Sequence, residues 1–346
     1  MNKVRLEDVS ERGSSNLAQK DIEGIDGNYP IYGASGYIGN VDFYHQEDEY
    51  IAVVKDGAGV GRTMFLPAKS SVIGTLQYII PKGSIFPKYL YYAVKKLNLA
   101  RYNTGTTIPH IYYKDYKKET FCLPDEFEQR KVVVILETVE KVIEEQQQEL
   151  LELDNLIKSR FVEMFGTLQD NRNRYDIVAI EEVCSMIKDG THQTPTYTED
   201  TENGYKFLSS KDVMTQKIDW TDVKYIPSEL HEKLYATIHP RRNDILMSKN
   251  GVNYGVAAIN DTDEVFDIYV SLALLRPTEV IDPVYFRCVI NNPDTKRQFD
   301  GSIKGIGVPN LHLGEIKKTK ILLPPLKLQN QFADFVTQTT KLKLAG

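Results

Sequence analysis

Gly105-Thr106-Thr107-Ile108-Pro109-His110-Ile111, followed by Phe121-Cys122-Leu123-Pro124-Asp125-Glu126-Phe127-Glu128-Gln129, has a counterpart 200 residues further on. There Gly305-Ile306-Gly307-Val308-Pro309-Asn310-Leu311 leads to Ile321-Leu322-Leu323-Pro324-Pro325-Leu326-Lys327-Leu328-Gln329, with no gap in the offset. Working upstream, Ile51-Ala52-Val53-Val54-Lys55-Asp56-Gly57 with Gly61 matches Ile245-Leu246-Met247-Ser248-Lys249-Asn250-Gly251 with Gly255. Val4–Val9 loosely matches Val178–Val183. Four matches in one order point to an internal duplication, and such self-similarity governs the reading of everything else. Identity between the landmarks is low, so the halves are expected to share a fold and differ in surface.

Each half reads as β-rich. Tyr50–Val54, Ser71–Pro81, Asp244–Met247 and Tyr269–Pro277 are short aliphatic and aromatic runs bounded by turn residues. Pro87–Lys96 and its partner Pro283–Asn291 suit short helices opened by a proline. Residues 126–165 differ. Val132, Leu136, Val139, Ile143, Gln146, Leu150, Leu153 and Ile157 alternate spacings of four and three, the seam of a coiled coil with one polar member. A helix of that length spans roughly 60 Å, and its seam requires a partner. The alternative is a lone amphipathic helix packed on its own domain. After Pro325 a second helix begins with Leu326, Leu328, Phe332, Phe335 and Val336 and weakens by Thr339. The expectation is an α+β chain: β-rich domains at 1–125 and 175–325, a helical spacer at 126–166, and a shorter one at 326–346.

The net charge is −6, which is unusual for a nucleic-acid binder. Residues 126–165 hold ten acids against five bases, so −5 sits in the spacer and −1 in everything else. Near-neutral globular parts are compatible with local basic faces, or with an ordinary acidic cytosolic protein. No run approaches the ~20 apolar residues of a membrane span; the longest aliphatic one is Val132–Leu136. The N-terminus lacks a signal-peptide stretch, and Cys122, Cys184 and Cys288 form no CxxC pair. A reducing cytoplasm and no membrane association are expected.

Two β-rich halves, each followed by Leu-Pro-x-x-x-x-Gln and a helix, resemble the specificity subunit of type I restriction–modification enzymes over nearly the whole chain. Tyr29-Pro30-Ile31-Tyr32-Gly33 with Gly36, Asp189-Gly190-Thr191-His192-Gln193-Thr194-Pro195 with Tyr197, and Phe207-Leu208-Ser209-Ser210-Lys211-Asp212-Val213 are similar to motifs of its target-recognition domains. The resemblance implies that each domain reads one half of a bipartite, asymmetric double-stranded DNA target. It implies that the helices fix the gap and dock two adenine-methylating modification subunits, joined by motor-nuclease (restriction) subunits. It also implies a chain that performs no chemistry itself. This sequence departs from the family in its short second helix. The later half of the first, Leu150–Phe165, is therefore expected to lack a partner in its own chain and to be covered by a modification subunit or a second copy.

Base edges specify sequence and phosphates fix orientation. Candidate base-reading residues are Thr191, His192, Gln193 and Thr194, since Gln pairs bidentately with adenine; the alternative is a turn set by Asp189-Gly190. Candidate phosphate contacts are Lys55 and Lys249, which are repeat-equivalent, with Arg62, Lys211, Arg241, Arg242 and Lys304; the alternative is solvated strand ends. Val132, Leu136, Val139, Ile143, Leu150, Leu153 and Ile157 are the candidate partner-binding seam.

No catalytic residue, cofactor or metal is expected. Asp56-Gly57-Ala58-Gly59-Val60-Gly61-Arg62-Thr63 fails the phosphate-loop spacing and lacks its lysine. Pro324-Pro325 lies between leucines, so the Asn/Asp-Pro-Pro-aromatic motif of an amino-methyltransferase is absent. The six histidines lack metal-ligand spacing. Two rivals remain: a duplicated protein-binding adaptor, and the recognition part of a single-chain restriction–methylation enzyme.

Overall fold

The computed structural model describes residues 2–83, 85–105, 107–303 and 307–345, without the side chains of 344 and 345. Lys304, one of the candidate phosphate contacts, lies outside the described residues. The chain divides into two compact units, residues 1–145 and 146–346, with the boundary inside one helix that runs from Glu126 to Phe165.

The first unit contains β1 (Asn2–Arg5), β2 (Ser10–Ser14), β3 (Tyr29–Gly33), β4 (Gly36–Val41), β5 (Tyr50–Val54), β6 (Thr63–Leu66), β7 (Ser71–Val72), β8 (Leu76–Pro81) and β9 (Thr120–Leu123). The second contains β10 (Asp176–Ala179), β11 (Cys184–Asp189), β12 (Tyr205–Leu208), β13 (Lys224–Ile226), β14 (Ile245–Ser248), β15 (Ala257–Ile259), β16 (Phe266–Ile268), β17 (Leu272–Pro277) and β18 (Lys320–Leu323). The sheets repeat strand for strand. Order β2-β8-β5-β6 becomes β11-β17-β14-β15, β4-β3-β7 becomes β13-β12-β16, and the ribbon β1-β9 becomes β10-β18. Directions repeat as well: β3 with β7 and β12 with β16 are the parallel pairs in otherwise antiparallel sheets. The duplication read from the sequence is thus a duplication of fold.

The unbroken apolar run Tyr50–Val54 follows from its place in the middle of a sheet covered on both faces. Ile51 and Val53 enter a core with Leu90 and Val94 of the Pro87–Lys96 helix, whereas Tyr50, Ala52 and Val54 pack with Ile31, Val41 and Val72 of the small sheet. In the second unit Ile245 and Met247 face the Pro283–Ile290 helix, and Leu246 faces Leu208 and Phe266.

The recurring Leu-Pro-x-x-x-x-Gln is a clasp. Gln129 is buried; its Oε1 accepts from the N–H of Phe86 at 2.7 Å and its Nε2 donates to the Pro124 carbonyl at 2.9 Å. Gln329 repeats this with the N–H of Asp282 at 2.9 Å and the Pro324 carbonyl at 2.7 Å. Phe86 and Asp282 immediately precede Pro87 and Pro283, so each glutamine ties the start of a linking helix to the start of a domain helix. A tyrosine adds a second tie: Tyr89 Oη donates to the Cys122 carbonyl at 2.7 Å and Tyr285 Oη to the Leu322 carbonyl at 2.9 Å.

The second helix, Leu326–Ala345, corrects one expectation. It runs antiparallel to the later part of the first: Phe332 packs edge-on against Phe161 and Phe165, the Arg160 guanidinium lies over the Phe335 ring, and Lys343 pairs with Asp154. Phe161 and Phe165 are buried within this chain, so the stretch Leu150–Phe165 does not lack a partner. An antiparallel second helix starts beside the end of the first, and a short one therefore covers the later half. The open seam lies earlier, at Val139 (48% exposed) and Ile143 (49%). Val132 and Leu136 are half-buried, as are Leu153 and Ile157, with Leu150 more exposed.

Candidate nucleic-acid interface

In the second unit the candidate residues are collected by the connection between β16 and β17. Thr191 donates its N–H to the Ile268 carbonyl at 3.0 Å and accepts from the N–H of Val270 at 3.0 Å. Ser210 donates its N–H to Ser271 Oγ at 3.0 Å, and Lys249 donates its N–H to the Ser271 carbonyl at 2.9 Å. The loops carrying Thr191–Thr194, Lys211 and Lys249 therefore meet at one pole of the domain. Gly190 permits this approach, because a Cβ there would lie 2.2 Å from the Ile268 carbonyl oxygen. Beyond it His192, Gln193 and Thr194 are exposed, on backbone pinned at Thr191; the Thr191 hydroxyl also accepts from the N–H of Gln193 at 3.2 Å.

The same pole exists in the first unit. Lys55 donates its N–H to the Thr75 carbonyl at 3.0 Å, and Gly74 donates to the Leu17 carbonyl at 2.7 Å. The loop after β2, Ser15–Lys20, thus stands where Gly190–Thr194 stands in the second unit. Sequence reasoning missed it, since it carries no motif. Only the pairing of β2 with β8, equivalent to that of β11 with β17, reveals the correspondence. Asn16, Gln19 and Lys20 are its exposed polar side chains.

The cationic candidates divide. Lys249 is buried, with its ammonium 2.7 Å from an Asp189 carboxylate oxygen. That removes it as a phosphate contact, because a buried ammonium already neutralised by a carboxylate has no reach to DNA. His192 Nε2 lies 3.4 Å from the other oxygen of Asp189. The sequence showed Asp189 only as half of a turn; no spacing marks it as the counter-ion of Lys249. Lys55 lies 3.5 Å from Asp56, a carboxylate that also pairs with His110. Lys211 donates to the Asp222 carboxylate at 2.7 Å, and the ammonium holds that carboxyl below the usual aspartate range. Arg62 is exposed and has no ion pair among the described residues. Arg241 and Arg242 are not brought to this pole. They precede β14, whereas Lys249 follows it, and four strand residues separate the two ends by about 13 Å. Arg242 is held by Asp263 at 2.7 Å, and Arg241 by His239 Nε2 at 2.5 Å. Lys249 and Lys211 of the second pole are thus both paired with carboxylates, whereas in the first Lys55 is paired and Arg62 stays available.

What the arrangement offers is a firm backbone platform with variable polar side chains at its edge. Among the described residues no helix is long and apolar enough to cross a membrane.

The family described as type I restriction modification DNA specificity domain matches this chain twice, over residues 1–153 and 173–345. The MjaVIII type I restriction enzyme specificity subunit of Methanocaldococcus jannaschii is 24% identical over 304 residues, 82% of this chain and 70% of that protein. The MjaIX specificity subunit of the same organism is 22% identical over 282 residues, 75% of this chain and 63% of that protein. In fold, the chain is similar to the S subunit of a type I restriction–modification system from M. genitalium. The TM-score is 0.54 at 14% identity, covering 99% of this chain and 94% of that one.

Proposed function

The chain belongs to the type I restriction modification DNA specificity family, and from that premise we propose that it is the sequence-reading subunit of such a system, without catalytic chemistry of its own. Each unit reads one part of a two-part, asymmetric double-stranded target. The observation that carries this reading is the strand-for-strand repeat of the fold with different side chains at the same pole. One scaffold presenting two different polar edges suits two different half-targets. Thr191, His192, Gln193 and Thr194 contact bases in the second half, and the Ser15–Lys20 loop does so in the first. Lys55, Arg62 and Lys211 contact phosphates, the two lysines exchanging a carboxylate for phosphate oxygens. The Glu126–Phe165 helix sets the gap between the half-targets. The partners are two modification subunits, which the open seam at Val139 and Ile143 helps to hold, together with motor-nuclease subunits, in the cytoplasm.

Quantitative binding to randomised duplexes tests this. Gln193→Ala should relax preference at one base pair of one half-target, costing about 1–3 kcal/mol there. Arg62→Ala should weaken binding to all sequences and lower the salt slope by about one. Binding that is neither sequence-selective nor salt-dependent would instead favour a protein-binding adaptor.

A further inference from the structure

Two loops at each pole are alike in both halves, in contrast to the polar edges beside them. In the first unit Gly57 donates its N–H to the Pro109 carbonyl at 2.9 Å and Ile111 donates to the Lys55 carbonyl at 3.0 Å. In the second, Gly251 donates to the Pro309 carbonyl at 3.0 Å and Leu311 to the Lys249 carbonyl at 2.8 Å. Gly57 and Gly251 share φ of 83°, and Gly61 and Gly255 have 83° and 86°. These values favour glycine and give the two turns one shape. The clasped loops present an aliphatic side chain to solvent in both halves: Ile108 is 68% exposed and Val308 78%, with Ala58 and Val252 (84%) on the facing turns.

A reader of two different half-targets has no reason to repeat a base-reading group. What both halves meet unchanged is either the phosphate backbone or a partner present in two identical copies. The chemistry separates these. The tips are aliphatic, and no available cation is repeated beside them. Arg62 is exposed on the first turn but Val256 stands at its place in the second, and Lys55, beside Asp56, has as its counterpart Lys249, which is buried against Asp189. Nor is charge repeated around the clasp, since Asp56 and His110 are replaced by Asn250 and Asn310. Phosphates demand cations, whereas an exposed aliphatic tip on a firmly hydrogen-bonded loop suits an apolar protein surface. The geometry points to Ile108 and Val308 as equivalent docking points, one per half, for the two identical modification subunits. This inference rests on the function proposed above.

The test uses the chain co-purified with its modification subunit, with subunit composition measured by native mass spectrometry. Ile108→Asp and Val308→Asp should each weaken retention of one modification subunit by about tenfold to a hundredfold, and the double variant should weaken both. Sequence preference on target duplexes should be unchanged. Thermal unfolding checks the fold, and Ile108→Thr with Val308→Thr, near in shape, should give smaller losses in the same direction. A double variant that keeps both subunits at wild-type affinity overturns the inference. So does one that keeps both but loses affinity for DNA, which would give the loops to the duplex. If the wild-type chain holds no modification subunit, the functional reading has failed and the inference falls with it.

Discussion

Lys55 and Lys249 occupy the same position in the two halves, yet one keeps 23% of its side chain exposed and the other is part of the interior, at 5%. The strand register explains the difference. Asp189, at the end of β11, has Ser14 as its counterpart at the end of β2, and Asn250, after Lys249, has Asp56. Each lysine thus receives one carboxylate, from a different direction. In the second half the acid comes from across the sheet and draws the ammonium inward to 2.7 Å; in the first it comes from the adjacent residue, at 3.5 Å and nearer the surface. A duplicated backbone therefore does not duplicate a role: two changes of charge, an acid gained at Asp189 and one absent at Asn250, turn a candidate DNA contact into a structural ion pair.

Substitutions at equivalent positions can break or sharpen this contrast. The largest expected difference is in the helical seam. Phe332 is fully buried against Phe161, Phe165 and Tyr285, whereas its counterpart Val132 is only half-buried. Phe332→Ala should cost about 3–5 kcal/mol in chemical denaturation, and Val132→Ala about 1 kcal/mol or less. Equal costs would mean that both seams are covered alike. Next come the lysines. Lys249→Ala leaves the Asp189 carboxylate with only His192, at 3.4 Å, beside it and should cost about 3 kcal/mol, while Lys55→Ala should cost less than about 1 kcal/mol. Thermal unfolding of the two variants side by side reads this directly, and a similar melting shift in both would contradict the burial difference. The clasps should behave alike: Gln129→Ala and Gln329→Ala each remove bonds to buried backbone and should cost about 1–3 kcal/mol. A loss in only one half would show that the shared motif serves different ends.

The smallest effect depends on pH. In the first half Lys88 lies 2.5 Å from Glu137, and Glu140 accepts from Lys95 at 2.8 Å and from Tyr92 Oη at 2.7 Å, tying the domain helix to the linking helix. The equivalent positions in the second half are Val284, Cys288, Asn291, Thr337 and Thr340, without a carboxylate. Lys95, then Tyr92, holds the Glu140 carboxyl below its ordinary range. Its contribution is therefore present above the ordinary glutamate pKa and is lost as pH falls through the lowered one. The groups are partly exposed, so about 0.5–1 kcal/mol is expected. Hydrogen exchange should show Pro87–Lys96 loosening on acidification while Pro283–Ile290 does not; equal loosening would remove Glu140 as the cause.

The fold was largely legible in the sequence because the landmarks that repeat are those with backbone or core duties. Gln129 and Gln329 clasp helix starts, and Tyr50–Val54 and Ile245–Ser248 are central strands. The long helix announced itself by its seam, but its covering was misplaced, since pairing direction depends on where the second helix starts in space and periodicity does not carry that. The site was less legible. Thr191–Thr194 stood out through a motif, whereas Ser15–Lys20 has none and is found only through strand pairing. Lys249 looked like a surface cation because its counter-ion lies sixty residues upstream. Arg241 and Arg242 looked close to it in sequence, and a strand separates them.

The central claim is that two copies of one scaffold read two different half-targets independently. Methyl-adenine mapping in cells carrying this chain with its modification partner tests it most directly, before and after residues 175–325 are exchanged for those of a relative. The account predicts a two-part motif with a fixed gap in which the exchange rewrites one part and leaves the other, and the gap, as they were. A change in both parts would contradict it.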